Sequence, residues 1–416
     1  MRGWTRVLVA LALLGAGITE STRAPDGRPV IEVDAPTALL DRAVHIRIGG
    51  LPAGEKVGVD LGAVDAEGEP WHGHATFRAN PRGVVDLDTA TPLSGTYRKP
   101  DGMGLFWSMN PRSGDPEQMY FIPPDSGEHV FDLTLTAAVR GRPPVSRTLT
   151  RQWTAPGVVA RVLAPATDGV SGMLFLPAPG TPRHPAVLAF GGSEGGRGPI
   201  TDAVLLAGHG YPALALGYFG LPGLPDELAN IPLEYFAGAA RILAAQPGVD
   251  PEHILAQGYS RGTEAALLLA RHYPDLVHGA IVYAPSATVH AGFPRGRTAW
   301  TKDGEPIAEG RIPLDRVDGP VLAIAGTDDR LWPSADSARE IVAELDALGN
   351  PYPHRALIFP DAGHGVGTHP YFAAGTTLNH PVTRELLDMG GTRAADAAAQ
   401  AQGWPQVLAL LASLTR

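Results

Sequence analysis

The sequence predicts two architectures in series: an all-β sandwich over residues 25–155, then a parallel β-sheet with helices on both faces over residues 156–416. Three observations predict it. Short alternating or β-branched runs punctuated by turn clusters fill the first third. Apolar strands alternating with helical stretches fill the rest. The length, 416 residues, exceeds what one core usually serves. With 44% hydrophobic and 18% charged residues, the composition is that of a globular chain. It excludes a fibre, a disordered tail or a polytopic membrane protein.

The first element is an address. Arg2 and Arg6 precede an apolar run of 12 residues, 7–18, and Thr22 and Ala24 occupy positions −3 and −1 of a cleavage site. This is the pattern of a secretory signal peptide over residues 1–24. The run is well short of the roughly 20 residues that span a bilayer, so no membrane span is expected in the mature protein. The localisation it implies is secreted or cell-envelope; a mis-assigned start would leave the protein cytoplasmic. Removing residues 1–24 takes away three Arg and one Glu, which changes the net charge from −10 to −12.

Strands follow at 30–33, 44–48, 57–61, 75–79, 84–87, 119–122, 130–135 and 147–153, with turns such as Leu51-Pro52-Ala53-Gly54 and Asn80-Pro81-Arg82-Gly83 between them. No run in this half has a helical period. In the second half, a buried-strand run at 186–190 leads into Gly191-Gly192-Ser193-Glu194-Gly195-Gly196. A helix at 201–207, a strand at 213–218, a helix at 233–245, a strand at 254–257 and a helix at 263–272 come next. Strands at 280–283, 321–325 and 356–359, a helix at 334–348 and a closing helix at 405–414 complete the pattern. The Pro/Gly-rich stretch 293–313 reads as a surface excursion near the site.

Charge and cysteine content narrow the chemistry. Asp and Glu number 43 against 33 Lys and Arg, so nucleic acid is not an expected partner. With no Cys, the chain has no disulfide, no thiolate metal site and no Cys nucleophile. His72 and His74 lack a matching acid spacing and read as a solvated strand face, so no metal and no cofactor are expected.

Two Gly-x-Ser-x-Gly matches compete for the nucleophile: Gly191-Gly192-Ser193-Glu194-Gly195 and Gly258-Tyr259-Ser260-Arg261-Gly262. A nucleophile elbow needs a strand, a tight turn at Ser and an immediate helix. Ser260 has all three, whereas Gly195, Gly196, Gly198 and Pro199 delay any helix after Ser193. The partners must follow in the order Ser, acid, His. Asp328-Asp329 follows the strand at 321–325, and His364 lies in a Gly-flanked loop after the last strand. The spacings are 69 residues from Ser260 to Asp329 and 35 from Asp329 to His364. Serine is a weak nucleophile alone. His364 must take its proton and Asp329 must hold the imidazole. The Gly326-x-x-Asp329-x-x-Trp332-Pro333 spacing favours Asp329 over Asp328. His369 is the decoy base, and His209, His272 and His278 belong to helix ends. Backbone N–H groups of Arg261 and of Gly192 or Ser193 are the expected oxyanion donors. Glu264, in the first turn of the elbow helix, supports the site without reacting.

These residues resemble the acyl-CoA thioesterase / bile acid-CoA:amino acid N-acyltransferase family over nearly the whole mature chain. The resemblance rests on Ile48-Gly49-Gly50-Leu51-Pro52-Ala53-Gly54, Ala75-Thr76-Phe77-Arg78-Ala79 and Met103-Gly104-Leu105-Phe106-Trp107-Ser108-Met109. Further on it rests on Leu206-Ala207-Gly208-His209-Gly210-Tyr211, Leu216-Gly217-Tyr218-Phe219, Gly258 to Glu264, and Asp328-Asp329 with Trp332. It implies an immunoglobulin-like N-terminal sandwich on an α/β-hydrolase domain. It implies a Ser, Asp, His triad acting on activated acyl thioesters, here Ser260, Asp329 and His364. The chain departs from the family after His364, where Gly-Val-Gly-Thr-His-Pro-Tyr replaces an acidic residue before a Pro-Pro-Tyr-like end. The expected function is an exported serine acyl hydrolase acting on a small-molecule acyl thioester or ester. An acyltransferase and a non-catalytic exported binding protein are the rival readings.

Overall fold

The computed structural model describes residues 28–124, 129–367 and 369–415. The expected signal peptide, residues 1–24, lies outside them.

Alternation builds the N-terminal half. Strands Lys56–Val64, Pro70–Arg78 and Val130–Ala138 bury every second residue, as a sheet covered on one face requires. They form the centre of a seven-stranded sheet completed by Thr37–Leu39, Val145–Gln152, Ser94–Gly95 and Asn110–Pro111. A second sheet pairs Val30–Val33, Ile46–Gly49 and Val85–Asp86. Ile46 and Ile48 of the small sheet share one core with Val57, Leu61, Phe77 and Leu135 of the large one. Two expectations fail here. The half does hold a helical turn, Gly104–Trp107, which buries Leu105 and Phe106. Residues 119–122 form no strand; Tyr120 makes a single bridge to Ala374, so its partner segment lies in the second half.

The second half is built on eight strands: β1 (Val159–Leu163), β2 (Ser171–Leu176), β3 (His184–Phe190), β4 (Ala213–Gly217), β5 (Val249–Tyr259), β6 (Ala280–Tyr283), β7 (Val321–Gly326) and β8 (His354–Phe359). Their order is β1-β2-β4-β3-β5-β6-β7-β8. Only β2 runs against the rest. This is the α/β-hydrolase arrangement. Central strands β4 and β7 are buried at every residue, as helices on both faces dictate. The helices longer than one turn are α1 (Ile200–Gly208), α2 (Leu233–Ala244), α3 (Gly262–His272), α4 (Ser334–Ala347) and α5 (Arg393–Leu414).

Helix α5 begins well before the expected start at Pro405, which it holds in its interior. Thr392 caps it by accepting from the Ala395 N–H. Trp404, Val407 and Leu411 anchor it in the core, so packing carries the helix through the proline. The two halves are not separate in their apolar interior. One continuous core joins Phe121 and Phe131 of the sandwich to Leu205, Ile281, Ile324 and Trp404 of the hydrolase half. Among the described residues, no helix is long and apolar enough to cross a membrane.

Candidate active site

Ser260 sits in the turn between β5 and α3 with φ +53°, a left-handed conformation that a side chain normally avoids. The flanking glycines make the turn sterically possible. A Cβ on Gly258 would lie 2.4 Å from Gly262 O, and one on Gly262 would lie 2.2 Å from Gly191 O. The Ser260 N–H donates to Tyr283 O at 3.0 Å, and Thr263 Oγ1 donates to Ser260 O at 2.6 Å. The strain is therefore held from both sides of the turn.

His364 Nε2 lies 2.9 Å from Ser260 Oγ, and His364 Nδ1 lies 2.8 Å from Asp329 Oδ2. Both the His364 and Asp329 side chains are buried. Asp329 Oδ1 accepts from the N–H groups of Leu331 and Trp332 at 3.0 and 3.4 Å. Asp328 faces elsewhere: it pairs with exposed Arg330 and accepts from the Gly391 N–H at 3.0 Å. Successive residues after β7 point in different directions, and only Asp329 meets the imidazole. His369 pairs instead with buried Asp202, 2.8 Å from Nδ1 to Oδ1.

The His364 loop is fixed from behind. The Gly363 N–H donates to Asp396 Oδ1 at 2.7 Å, and the His364 N–H donates to Met389 O at 2.8 Å. Tyr259 donates to His364 O at 2.9 Å and packs its ring on the imidazole. Trp332 also packs edge-on against the imidazole, its Nε1 tied to Ala284 O at 3.0 Å. Burial raises the Asp396 carboxyl to about 7, against the opposing hydrogen bond from Gly363.

Glu264 is fully buried and is the centre of a clamp. It accepts from Arg261 Nε at 2.6 Å, Trp300 Nε1 at 2.7 Å and the His290 N–H at 3.3 Å. Arg261 Nη2 also donates to Ala291 O at 2.8 Å. The stretch 293–313, expected at the surface, is thereby partly drawn inward: Trp300 is fully buried and pairs with Ile231.

The Gly-rich loop after β3 lies directly on the elbow. A Cβ on Gly192 would stand 2.8 Å from Ser260 Cβ. The Gly192 N–H, one of the expected oxyanion donors, is already taken: it donates to both Glu194 carboxylate oxygens, at 2.9 and 2.8 Å. Burial raises the Glu194 carboxyl, against opposing N–H groups of Glu194 and Gly192 and the nearby His364. No acceptor among the described residues engages the N–H of Arg261 or of Ser193. Ser193 Oγ lies 3.0 Å from His380 Nε2. Glu194, Asp396 and His380 escape sequence reasoning. Glu194 stands inside the rejected Gly-x-Ser-x-Gly match, and the other two meet the site only through the tertiary fold.

Beside Tyr259 and Glu194 opens a cavity of about 490 Å³ between the two halves. Phe121, Ile122 and Trp153 wall it from the sandwich, and Phe372, Leu378 and Met389 from the hydrolase half. His72 and His74 lie exposed on their strand. Among the described residues, no group of three or more His, Asp or Glu is placed to hold a metal.

Residues 41–164 match the acyl-CoA thioester hydrolase/BAAT N-terminal region. Residues 231–295 and 297–415 match the BAAT / acyl-CoA thioester hydrolase C-terminal region. The chain is 30% identical over 396 residues to acyl-coenzyme A thioesterase 6 of Mus musculus, covering 88% of this chain and 92% of that protein. It is 30% identical over 410 residues to acyl-coenzyme A thioesterase 3 of Mus musculus, covering 91% and 92%. With acyl-coenzyme A thioesterase 1 of Homo sapiens the identity is 28% over 398 residues, covering 88% and 92%. Matched in both halves and over nearly its full length, the chain belongs to the acyl-CoA thioester hydrolase/BAAT family.

Proposed function

We propose that this protein is an exported serine acyl hydrolase of the thioesterase type, which cleaves an acyl thioester or ester through an acyl group carried on Ser260. The observation that supports this most is the unbroken line from Ser260 Oγ through His364 to Asp329, at 2.9 and 2.8 Å, set on a strained elbow.

The mechanism follows from that geometry. Asp329 keeps a proton on His364 Nδ1, so Nε2 offers its lone pair to the Ser260 hydroxyl. Ser260 Oγ attacks the acyl carbonyl carbon while His364 takes its proton. The N–H groups of Arg261 and Ser193 receive the developing oxyanion. His364 then protonates the departing thiolate or alkoxide, and water activated by the same imidazole cleaves the acyl-enzyme. The acyl chain lies in the cavity between the halves, whose apolar walls favour its burial. Hydrolysis is favoured over transfer because Ser260 forms an oxyester, which amines attack less readily than they attack a thioester. The N-terminal sandwich is read as immunoglobulin-like, and residues 1–24 as the export signal.

The test is a fluorophosphonate probe followed by peptide mass mapping, with a panel of acyl-CoA thioesters and p-nitrophenyl esters. Labelling should fall on the Ser260 peptide, and turnover should yield free acid even in excess glycine or taurine. Predominant N-acyl product would replace the hydrolase with a transferase. Mature protein from the native host should begin near Pro25 outside the cytoplasm; intact residues 1–24 on cytosolic protein would refute export.

A further inference from the structure

We propose that Ser193 and His380 form a fixed hydrogen-bond donor of the active site, in which the Ser193 hydroxyl binds the oxyanion alongside backbone N–H groups. This rests on Ser260 being the nucleophile. It also explains why a second Gly-x-Ser-x-Gly loop, with its own Ser–His contact, faces the first.

The two Ser–His pairs look alike but have opposite polarity. Behind His364, Nδ1 faces a carboxylate oxygen of Asp329 at 2.8 Å. A carboxylate accepts, so the proton sits on Nδ1 and Nε2 is left as a base. Behind His380, Nδ1 faces the N–H groups of Val382 and Thr383 at 3.2 and 3.3 Å. Amide N–H groups donate, so Nδ1 must be the acceptor. The proton of the neutral ring is then on Nε2, which donates to Ser193 Oγ at 3.0 Å. His380 cannot withdraw the Ser193 proton; it occupies a lone pair and leaves that proton free. Burial, with the Phe293 ring centred 4.9 Å away, holds the His380 pKa below its ordinary value and favours this neutral form.

The surrounding loop leaves Ser193 as its outward donor. Tyr218 Oη lies 3.0 Å from Gly191 O and 2.5 Å from Gly192 O, which draws both carbonyls to the buried side. Glu194 occupies the Gly192 N–H. Gly192 packs against Ser260 with no room for a side chain. The next residue along the loop is Ser193, with an N–H and a hydroxyl proton that no described residue accepts. When Ser260 Oγ bonds the acyl carbon, its proton passes to His364 and the carbonyl π pair moves onto oxygen. Ser193 donates a hydrogen bond to that oxygen and loses no proton. The pair returns as the C–S or C–O bond breaks, and the leaving group takes the proton from His364.

The experiment compares Ser193→Ala, Ser193→Thr, His380→Ala and the double variant Ser193→Ala/His380→Ala in the full chain. Turnover of a p-nitrophenyl acyl ester is read beside binding of an acyl trifluoromethyl ketone, which forms a covalent oxyanion. Ser193→Ala should lower kcat on the order of 10²-fold, leave KM within about twofold and weaken ketone binding by a similar factor. Ser193→Thr should restore most of the loss, which separates a missing donor from a misfolded loop. His380→Ala should lose part of that factor by leaving the Ser193 hydroxyl unfixed, and the double variant should lose no more than Ser193→Ala alone, since both act through one donor. Unchanged kcat in Ser193→Ala, or losses that multiply in the double variant, would overturn the proposal. An active Ser260→Ala beside an inactive Ser193→Ala would instead overturn the assignment of Ser260 itself.

Discussion

Asp396→Asn should stabilise the protein above neutral pH and leave it unchanged in acid. Asp396 lies in the first turn of α5, where the helix dipole favours a carboxylate by roughly 0.3–1 kcal/mol. Burial opposes this and wins, moving the carboxyl from 3.8 to about 7, with the Gly363 N–H resisting and Asp329, Asp328 and Glu117 adding repulsion. Between those two values the folded protein keeps a proton that the unfolded chain has released. Stability therefore falls as pH rises through that window and is level above it. At about 1.4 kcal/mol for each pH unit between the folded and unfolded values, the whole loss is about 4 kcal/mol by pH 8. An Asn Oδ1 still accepts from Gly363 N–H and has no proton to lose. Guanidinium unfolding of both proteins across pH 4 to pH 8 measures the difference, in which the titrating groups remote from Asp396 cancel. It should grow from near zero to about 4 kcal/mol in favour of the variant. Parallel curves would show that Asp396 ionises like an exposed carboxyl and would refute the reasoning.

Ser260→Ala should lower kcat on the order of 10⁴-fold or more with the fold intact by circular dichroism, because triad members act as a unit. Asp329→Asn should cost on the order of 10⁴ in kcat by allowing the wrong imidazole tautomer. Asp328→Asn should stay within about threefold, and equal losses at the two positions would contradict the geometry after β7. Glu264→Gln should destabilise by about 3–5 kcal/mol in thermal or denaturant unfolding, since it leaves the Arg261 charge buried and unpaired. A wild-type midpoint would show that Arg261 can reach water.

The elbow was legible because its signal is local. Two close glycines, an apolar strand before and helix formers after are all within reach of Ser260. Strand β1 was not legible: four of its five residues are exposed, so an edge strand leaves little apolar pattern to read. The start of α5 hid in an Ala-rich run whose helical propensity is strong but whose one conspicuous residue, Pro405, reads as a helix start. Ser193 was legible as a backbone donor, but its His380 partner is 187 positions away and no motif links them. Gly192 shows the opposite limit. Its N–H looked open because a short-range Glu194 bond depends on how a Gly-rich loop folds back on itself.

The sandwich does more than sit beside the hydrolase half. Arg393, the first residue of α5, donates to Asn110 Oδ1 at 2.7 Å, Met109 O at 2.5 Å and Trp107 O at 3.4 Å. Those acceptors belong to, or directly follow, the Met103 to Met109 segment. Three residues along the same helix, Asp396 holds the Gly363 N–H immediately before His364. Midway along α5, Trp404 Nε1 donates to buried Asp41 Oδ2 at 2.7 Å. The helix that fixes the His364 loop is thus fastened to the sandwich at its first residue and again at its middle. Burial lowers the Arg393 guanidinium from its ordinary value, so this contact is made against a desolvation cost. A helix tied only to its own sheet would need none of it. The N-terminal half therefore helps to set where α5, and through Asp396 the His364 loop, can sit.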